Sequence, residues 1–160
     1  MILIAYDGSE DARAAIEQAC RLFAGESAIV LTVWHRFIDT MAIVGGRFNM
    51  VVDYEEIDRD AEKSASETAQ EGAQIAREAG LDAVPRAAVV EFTLADTILA
   101  QAAAAGAGAV VLGSHGYGGL KSLMLGSTSH DVLQHADLPV VVVPSPAVAK
   151  ARAEHRQSLR

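Results

Sequence analysis

Five short runs of apolar residues punctuate the chain, and longer stretches with helical periodicity separate them. The runs are Ile2–Tyr6, Ala28–Trp34, Val84–Val90, Ala109–Gly113 and Val140–Val143. Because these runs are continuously apolar and do not alternate with polar residues, they predict strands that are covered on both faces of a sheet. Strands that alternate with helices predict right-handed crossovers and a mostly parallel, doubly wound α/β fold.

The first helix is predicted to begin after Asp7-Gly8-Ser9 and to end at Gly25. Ser9 is a candidate N-cap, and the acidic residues Glu10 and Asp11 suit the positive end of a helix dipole. Its predicted buried face consists of Ala12, Ile16, Ala19, Cys20 and Phe23.

The second predicted helix, from about Asp53 to Ala79, contains nine acidic and three basic residues, a net charge of −6. Glu55 with Arg59, and Lys63 with Glu67, have the spacing of weakly stabilising helix pairs. This charge indicates either a solvated helix face or an acidic surface that docks a partner.

Two further segments have weaker patterns. Residues 36–52 hold Gly45-Gly46 and four exposed-looking aromatic or methionine side chains, and they predict a long loop. Such a loop either acts as a lid or binding segment, or tucks its apolar residues against the sheet edge. Those side chains belong to Phe37, Met41, Phe48 and Met50. Residues 145–160 carry a net charge of +3 and predict a frayed tail or a weakly formed helix.

Composition narrows the class of protein. A chain of 160 residues suits one domain, and its net charge of −8 argues against general binding to DNA or RNA. The single cysteine, Cys20, excludes an internal disulfide and is predicted to be a buried, inert thiol. The N-terminus lacks the positive region of a secretory signal, and Ile98–Gly113 is too short to span a bilayer, so we expect a cytoplasmic protein without membrane insertion.

The segment Leu112–Ser129 is the richest in candidate chemistry. It follows the fourth predicted strand and leads into a predicted helix over 127–136, so it lies at the carboxyl edge of the sheet, where open α/β folds bind ligands. Its glycines let main-chain N–H groups approach an anion, and Gly126-Ser127-Thr128-Ser129 opens a helix whose positive end attracts phosphate. The segment therefore predicts a site for the phosphates of a nucleotide.

This glycine pattern is neither a Walker A loop nor a G-x-G-x-x-G loop. It has the form Gly113-x2-Gly116-x9-Gly126-Ser127, and with it the chain resembles the universal stress protein family, in particular its ATP-binding branch, whose signature is G-x2-G-x9-G-[ST]. Residues 2–10 look like the first strand and turn of that family, and residues 138–144 look like its closing strand. The resemblance extends from Met1 to about Pro144.

The resemblance implies a three-layer α/β sandwich of the Rossmann-like, adenine nucleotide alpha hydrolase type. Its five-stranded parallel sheet would have the order 3-2-1-4-5, in a domain over residues 1–146 that precedes a basic tail over 147–160. It also implies a homodimer in which the strands Val140–Val143 of two copies meet. Such pairing would cover an apolar edge that a monomer exposes.

The resemblance further implies a set of nucleotide-binding residues. The adenosine would lie against Ala5, Tyr6, Asp7, Val33 and Leu112, with Asp7 accepting hydrogen bonds from ribose or base and the main chain of Val33 meeting adenine. Gly113, His115 and Gly116 would lead to the phosphates, which Gly126, Ser127, Thr128 and Ser129 would hold. Mg²⁺ or Mn²⁺ would bridge the phosphates. Tyr117 departs from the family pattern, since many members have Arg or Lys there, although Lys121 is nearby.

Simpler interpretations exist for several of these residues. Asp7 could only begin a turn, Ser127 could only cap its helix, and His115 could be an ordinary loop histidine. His130 and His135 are five residues apart on one predicted helix, which is not the spacing of a metal pair.

Nothing in the sequence clearly supplies a base or a cation for phosphoryl transfer, so no catalytic residue is assigned. The leading interpretation is an ATP-binding regulatory protein with an unidentified protein partner. The alternatives are a slow ATPase or nucleotidyl-transfer enzyme on the same fold, and an interaction module that binds no nucleotide.

Overall fold

The computed structural model describes residues 1–44, 53–116 and 125–158. Five strands alternate with six helices along these residues. The elements are β1 (Ile2–Ala5), α1 (Glu10–Leu22), β2 (Ser27–Trp34), α2 (Phe37–Val44), α3 (Tyr54–Glu78), β3 (Asp82–Val89), α4 (Leu94–Ala105), β4 (Val110–Gly113), α5 (Ser127–His135), β5 (Val140–Val143) and α6 (Pro146–Ser158).

The five strands form one parallel sheet in the order β3-β2-β1-β4-β5. Successive residues of β1 enter opposite cores. Ile2 and Ile4 pack with residues of α1 and α3, whereas Leu3 packs with residues of α4 and α5. The predicted three-layer fold and strand order are confirmed.

Capping residues mark the ends of α1 and α3, and the predicted cap Ser9 is one of them. The Ser9 hydroxyl accepts a hydrogen bond from the Ala12 N–H at 3.2 Å, and Asp53 caps α3 by accepting from the N–H groups of Glu55 and Glu56. Gly25 and Gly80 follow α1 and α3 with φ angles of 84° and 99°, a conformation that glycine adopts without strain. Local sequence therefore sets the lengths of both helices.

The prediction that every strand is covered on both faces is wrong for β3. Helix α3 packs against the face that carries the buried Ala83, but Val84, on the opposite face, is 53% exposed. Because β3 lies at the edge of the sheet, Pro85 is accommodated there despite its missing N–H group.

The two segments with weak patterns contain helices. Part of the predicted loop is α2, and Phe37 packs against Tyr54 of α3 with ring centroids 5.8 Å apart. The side chains of Met41, Phe48 and Met50 lie outside the described residues. The predicted tail forms α6, whose Val148 is buried and whose first turn is capped by the Ser145 hydroxyl.

One predicted ion pair on α3 is wrong. Arg59 donates its Nε–H to the main-chain carbonyl oxygen of Glu55, 3.0 Å away. Lys63 and Glu67 do form their pair, at 4.0 Å, with both side chains exposed, so it contributes little to stability.

Within residues 1–44, 53–116 and 125–158, no helix is both long and apolar enough to cross a bilayer.

Candidate functional site

A cleft opens at the carboxyl ends of β1, β2 and β4, between the sheet and helices α4 and α5. It contains about 560 Å³ of empty space, part of which is open solvent. The lining residues are Ala5, Tyr6, Asp7, Ala12, Leu31, Val33, Leu94, Ile98, Leu112, Gly113, His115, Gly116, Thr128 and Ser129.

The floor of the cleft is apolar. Leu31 and Val33 alternate along β2 and lie on one face of the sheet, and Leu94 and Ile98 are one turn apart on α4. Leu112 of β4 completes this floor. Such a surface suits a flat, weakly polar group, because its burial removes apolar area from water on both sides.

Asp7 supplies a carboxylate at the rim of the cleft. Its Oδ1 accepts a hydrogen bond from the Ser9 N–H at 3.0 Å, so Asp7 does begin a turn, as the simpler interpretation holds. A Cβ atom placed on Gly116 would lie only 2.6 Å from Asp7 Oδ2. The glycine at position 116 therefore lets the Asp7 side chain lie directly against the loop after β4.

The other two glycines of the motif also have close protein neighbours. A Cβ on Gly113 would lie 2.8 Å from the main-chain carbon of Asp11 and 2.9 Å from the Ala12 nitrogen, both in the first turn of α1. A Cβ on Gly126 would lie 3.0 Å from the carbonyl oxygen of Ser114. Close packing against α1 thus requires glycine at position 113, and position 126 has little room for a side chain, whether or not a ligand is bound.

Three main-chain N–H groups of the motif already donate hydrogen bonds within the protein. The Ser114 N–H donates to the Val143 carbonyl at 2.8 Å, and the His115 N–H donates to Asp11 Oδ2 at 3.1 Å. The Gly126 N–H donates to the Ser114 carbonyl at 2.9 Å. Donors for an anion must therefore come from other groups.

The first turn of α5 offers such donors. The intrahelical hydrogen bonds of α5 begin with the His130 N–H, which donates to the Gly126 carbonyl at 2.9 Å. Helical geometry gives the N–H groups of Ser127, Thr128 and Ser129 no intrahelical acceptor, and the helix dipole is positive at this end. The Ser129 hydroxyl, in contrast, donates to the Gly113 carbonyl at 2.7 Å.

Ten of the twelve residues predicted to bind nucleotide line the cleft together. These are Ala5, Tyr6, Asp7, Val33, Leu112, Gly113, His115, Gly116, Thr128 and Ser129. Gly126 and Ser127 lie beside it, as the N-cap and first residue of α5. Because Gly126 is the N-cap, the alternative in which Ser127 caps its own helix is wrong.

Tyr6 contributes its main chain, and not its aromatic ring, to the lining of the cleft. The ring is buried on the opposite face of the sheet, where it lies against Gly72 of α3 and its hydroxyl is 3.2 Å from Glu71. Burial, aided by nearby Glu71, raises the pKa of Tyr6 to about 12, although neighbouring Arg13 acts in the other direction. The residue therefore presents its main chain to the cleft, and the Thr32 hydroxyl fixes that chain by donating to the Tyr6 carbonyl at 2.8 Å.

Sequence reasoning missed the role of Asp11, which it treated only as a residue that suits the helix dipole. Asp11 is 7% exposed, and its Oδ2 accepts hydrogen bonds from the Ser114 hydroxyl at 2.7 Å and the His115 N–H. Asp11 lies on the same stripe of α1 as Ala15 and Ala19, at a spacing of four residues. That spacing was a signal in the sequence that Asp11 faces inward.

The pKa of Asp11 is set by two opposing influences. Burial, the larger single one, raises it, but hydrogen bonds from the side chains of Ser114, Ser145 and His115 and from the Ser145 main chain together lower it. The net result is a pKa below the ordinary value of 3.8. Asp11 is thus an ionised carboxylate that several donors hold inside the protein.

Four further lining residues were also missed: Ala12, Leu31, Leu94 and Ile98. Leu31 lies on the same face of β2 as the predicted residue Val33, because side chains alternate between the two faces of a strand. This alternation is a signal in the sequence for Leu31. Leu94 and Ile98 required knowing that α4 borders the cleft.

The sheet order and the position of the cleft define a doubly wound α/β protein of the Rossmann-like class. The model of the universal stress protein family matches residues 1–144. The universal stress protein YxiE of Bacillus subtilis (strain 168) is 32% identical over 146 residues, which cover 89% of this chain and 97% of that protein. The chain belongs to the universal stress protein family.

Solved structures of that family share this fold. A universal stress protein family member from Burkholderia pseudomallei has a TM-score of 0.67 and 22% identity, covering 89% of this chain and 94% of its own. The Archaeoglobus fulgidus protein in complex with dAMP has a TM-score of 0.57 and 21% identity, covering 89% and 95%. A universal stress protein in complex with cAMP has a TM-score of 0.62 and 18% identity, covering 90% and 96%.

Proposed function

We propose that this chain binds an adenine nucleotide, ATP in particular, in the cleft at the carboxyl edge of its sheet. The observation that supports this most is that ten of the twelve residues chosen from the sequence lie around one cleft. The dAMP and cAMP complexes of structurally similar family members make an adenine nucleotide the expected ligand.

The parts of the cleft suit the parts of a nucleotide. Adenine would occupy the apolar floor formed by Leu31, Val33 and Ile98, with the Val33 main chain at its polar edge. The Asp7 carboxylate would accept hydrogen bonds from the ribose hydroxyls. The phosphates would point to the first turn of α5, where N–H groups and the helix dipole favour anions.

A divalent ion would be held mainly by the nucleotide. Asp7 carries the one carboxylate among the described lining residues, and the described chain holds no cluster of three potential metal ligands. Mg²⁺ commonly binds through substrate phosphates and few protein groups, so one carboxylate fits Mg²⁺ or Mn²⁺ bridged by ATP. Tyr117 and Lys121, the departure from the family pattern and its neighbour, lie outside the described residues.

The proposed role is regulatory binding in the cytoplasm, as a homodimer that presents its nucleotide state to a protein partner. Strand β5 lies at the edge of the sheet, and three of its four valines are half-buried. Pairing of two such edges would bury the valine side chains and join the two sheets into one continuous sheet, so that neither β5 strand remains an open edge.

Calorimetry with ATP and AMP in Mg²⁺ buffer tests the binding proposal. We expect ATP to bind with micromolar-class affinity and Asp7→Ala to weaken binding about tenfold or more, the scale of a lost hydrogen bond to a charged group. The matched control is Asp82→Ala, which removes an exposed carboxylate at the amino end of β3, away from the cleft. Absence of binding heat, together with no nucleotide released from the purified protein in mass spectrometry, would refute the proposal.

A further inference from the structure

The carboxylate of Asp11 joins three parts of the chain that are distant in sequence. It belongs to the first turn of α1 and contacts Ser114 and His115 after β4, and Ser145, immediately before α6, is close enough to lower its pKa. No lysine or arginine of the described residues forms an ion pair with it. Its charge is therefore balanced by hydrogen-bond donors, one of which, the His115 N–H, belongs to a residue that lines the cleft.

His115 is held by both its main chain and its ring. Its N–H donates to Asp11 Oδ2 at 3.1 Å, and its Nδ1 lies 2.9 Å from Ser114 Oγ and 3.4 Å from Asp11 Oδ2. Its side chain is only 9% exposed, although the residue lines the cleft. These contacts leave the ring little freedom to rotate.

The network also determines which ring nitrogen carries a proton. An ionised carboxylate only accepts hydrogen bonds, so the Ser114 hydroxyl donates its single hydrogen to Asp11. The hydroxyl oxygen can then serve Nδ1 only as an acceptor. These contacts therefore favour a proton on Nδ1 in the neutral ring, and removal of the Asp11 carboxylate would let Ser114 donate to Nδ1 and weaken this preference.

We propose that Asp11 is a positioning residue for nucleotide binding, which fixes the main chain, ring orientation and tautomer of His115 at the cleft. This inference rests on the proposed function, since it requires that the cleft binds a nucleotide. Asp11 acts through His115 and Ser114 and does not itself bind the ligand.

The test compares ATP affinity and the ¹⁵N chemical shifts of the His115 ring in three variants. Asp11→Ala removes the acceptor, Ser114→Ala removes the hydroxyl that lies between Asp11 and the ring, and Ser145→Ala removes a hydroxyl that influences the same carboxylate from the side of α6. All are measured at about pH 8, where an ordinary imidazole is neutral, and at a temperature where each variant is folded.

We expect Asp11→Ala to weaken ATP binding at least about tenfold and to move the ring proton from Nδ1 towards Nε2. Ser114→Ala should weaken binding roughly threefold. Ser145→Ala should lower the melting temperature but leave the affinity within about twofold and the tautomer unchanged. A purely structural role would lower stability in all variants without a selective change at the ring.

Three results would overturn the inference. One is wild-type affinity and tautomer in folded Asp11→Ala, and another is an equal loss of affinity in Ser145→Ala. If Asp11→Ala does not fold, unchanged ATP affinity in Ser114→Ala would be the third. In each of these cases the wild-type protein binds ATP, so the proposed function survives; absence of ATP binding by the wild type would overturn both proposals.

Discussion

At the scale of single residues, the three glycines of the motif each have a different close neighbour. Gly113 lies against the first turn of α1, Gly116 against the Asp7 carboxylate and Gly126 against the Ser114 carbonyl. The first contact is with main chain, which cannot move aside as cheaply as the end of a side chain. Substitution at Gly113 should therefore affect folding before it affects a ligand.

We expect Gly113→Ala to lower the free energy of unfolding by about 1–3 kcal/mol, as overpacked sites do. The measurement is urea denaturation, which reports stability without ligand. Gly108→Ala is the control, because its added Cβ would lie 3.8 Å from the nearest heavy atom, the Met1 carbonyl oxygen. Equal stability of Gly113→Ala and wild type would show that the loop can move away from α1.

The lowered pKa of Asp11 predicts that the free energy of unfolding depends on pH in the acid range. A carboxyl group whose folded-state pKa lies below its unfolded value stabilises the fold above that unfolded value. This stabilisation is lost as the pH falls below about 3.8 and through the folded-state pKa. The difference in unfolding free energy between wild type and Asp11→Ala should thus be constant near neutral pH and shrink below about pH 3.8. Acid titration followed by circular dichroism measures it, and a difference that grows in acid would contradict the assignment.

At the scale of elements, helix α3 lies close to the sheet because it has a glycine where the Tyr6 ring packs. A Cβ on Gly72 would lie 2.6 Å from the Tyr6 ring and 2.9 Å from Val30. The ring is held in place by its hydroxyl contact with Glu71, which also pairs with Arg13 of α1. These contacts tie α1, α3 and β1 together behind the cleft.

We expect Gly72→Ala to destabilise the protein by about 1–3 kcal/mol, although alanine is the better helix former. Gln70→Ala, at an exposed position on the same helix, should change stability by less than about 0.5 kcal/mol. Thermal unfolding of the two variants provides the comparison. A stabilised Gly72→Ala variant would mean that helix propensity outweighs the steric conflict with Tyr6.

The elements were predictable from sequence to different degrees. The predicted and observed strands agree to within about two residues, because buried parallel strands leave continuous apolar runs and helix caps mark the intervening segments. The contacts of Asp11 could not be predicted, because its partners Ser114 and His115 are 103 and 104 residues away. A local sequence pattern carries no information about contacts at that separation. Likewise, no local pattern indicates that the Val143 carbonyl and the Asp11 carboxylate accept hydrogen bonds from N–H groups of the motif.

At the scale of the whole molecule, the two edges of the sheet differ in chemistry. The outer strand β3 contains Pro85 and faces α3 on one side, whereas β5 consists of four valines. Proline protects an edge from pairing, and an apolar edge without such protection favours it. We therefore expect two copies of the chain to assemble through β5.

Size-exclusion chromatography with light scattering should give twice the chain mass at micromolar concentration. Val140→Lys at the β5 edge should shift the protein towards monomer, because pairing would bury a charged side chain between the two copies. The control is Val84→Lys on β3, where the side chain is already half exposed. A monomeric wild type at micromolar concentration would contradict the proposed dimer.

The close packing around the motif glycines has a consequence for how such motifs are used to assign function. Gly113 and Gly126 fit against main chain that belongs to the protein itself, so the fold alone demands small residues at those positions. A relative that had lost its ligand altogether would still be under pressure to retain them. The glycine spacing alone therefore reports how closely the chain packs at these positions, and evidence for a ligand has to come from other residues of the cleft, such as Asp7.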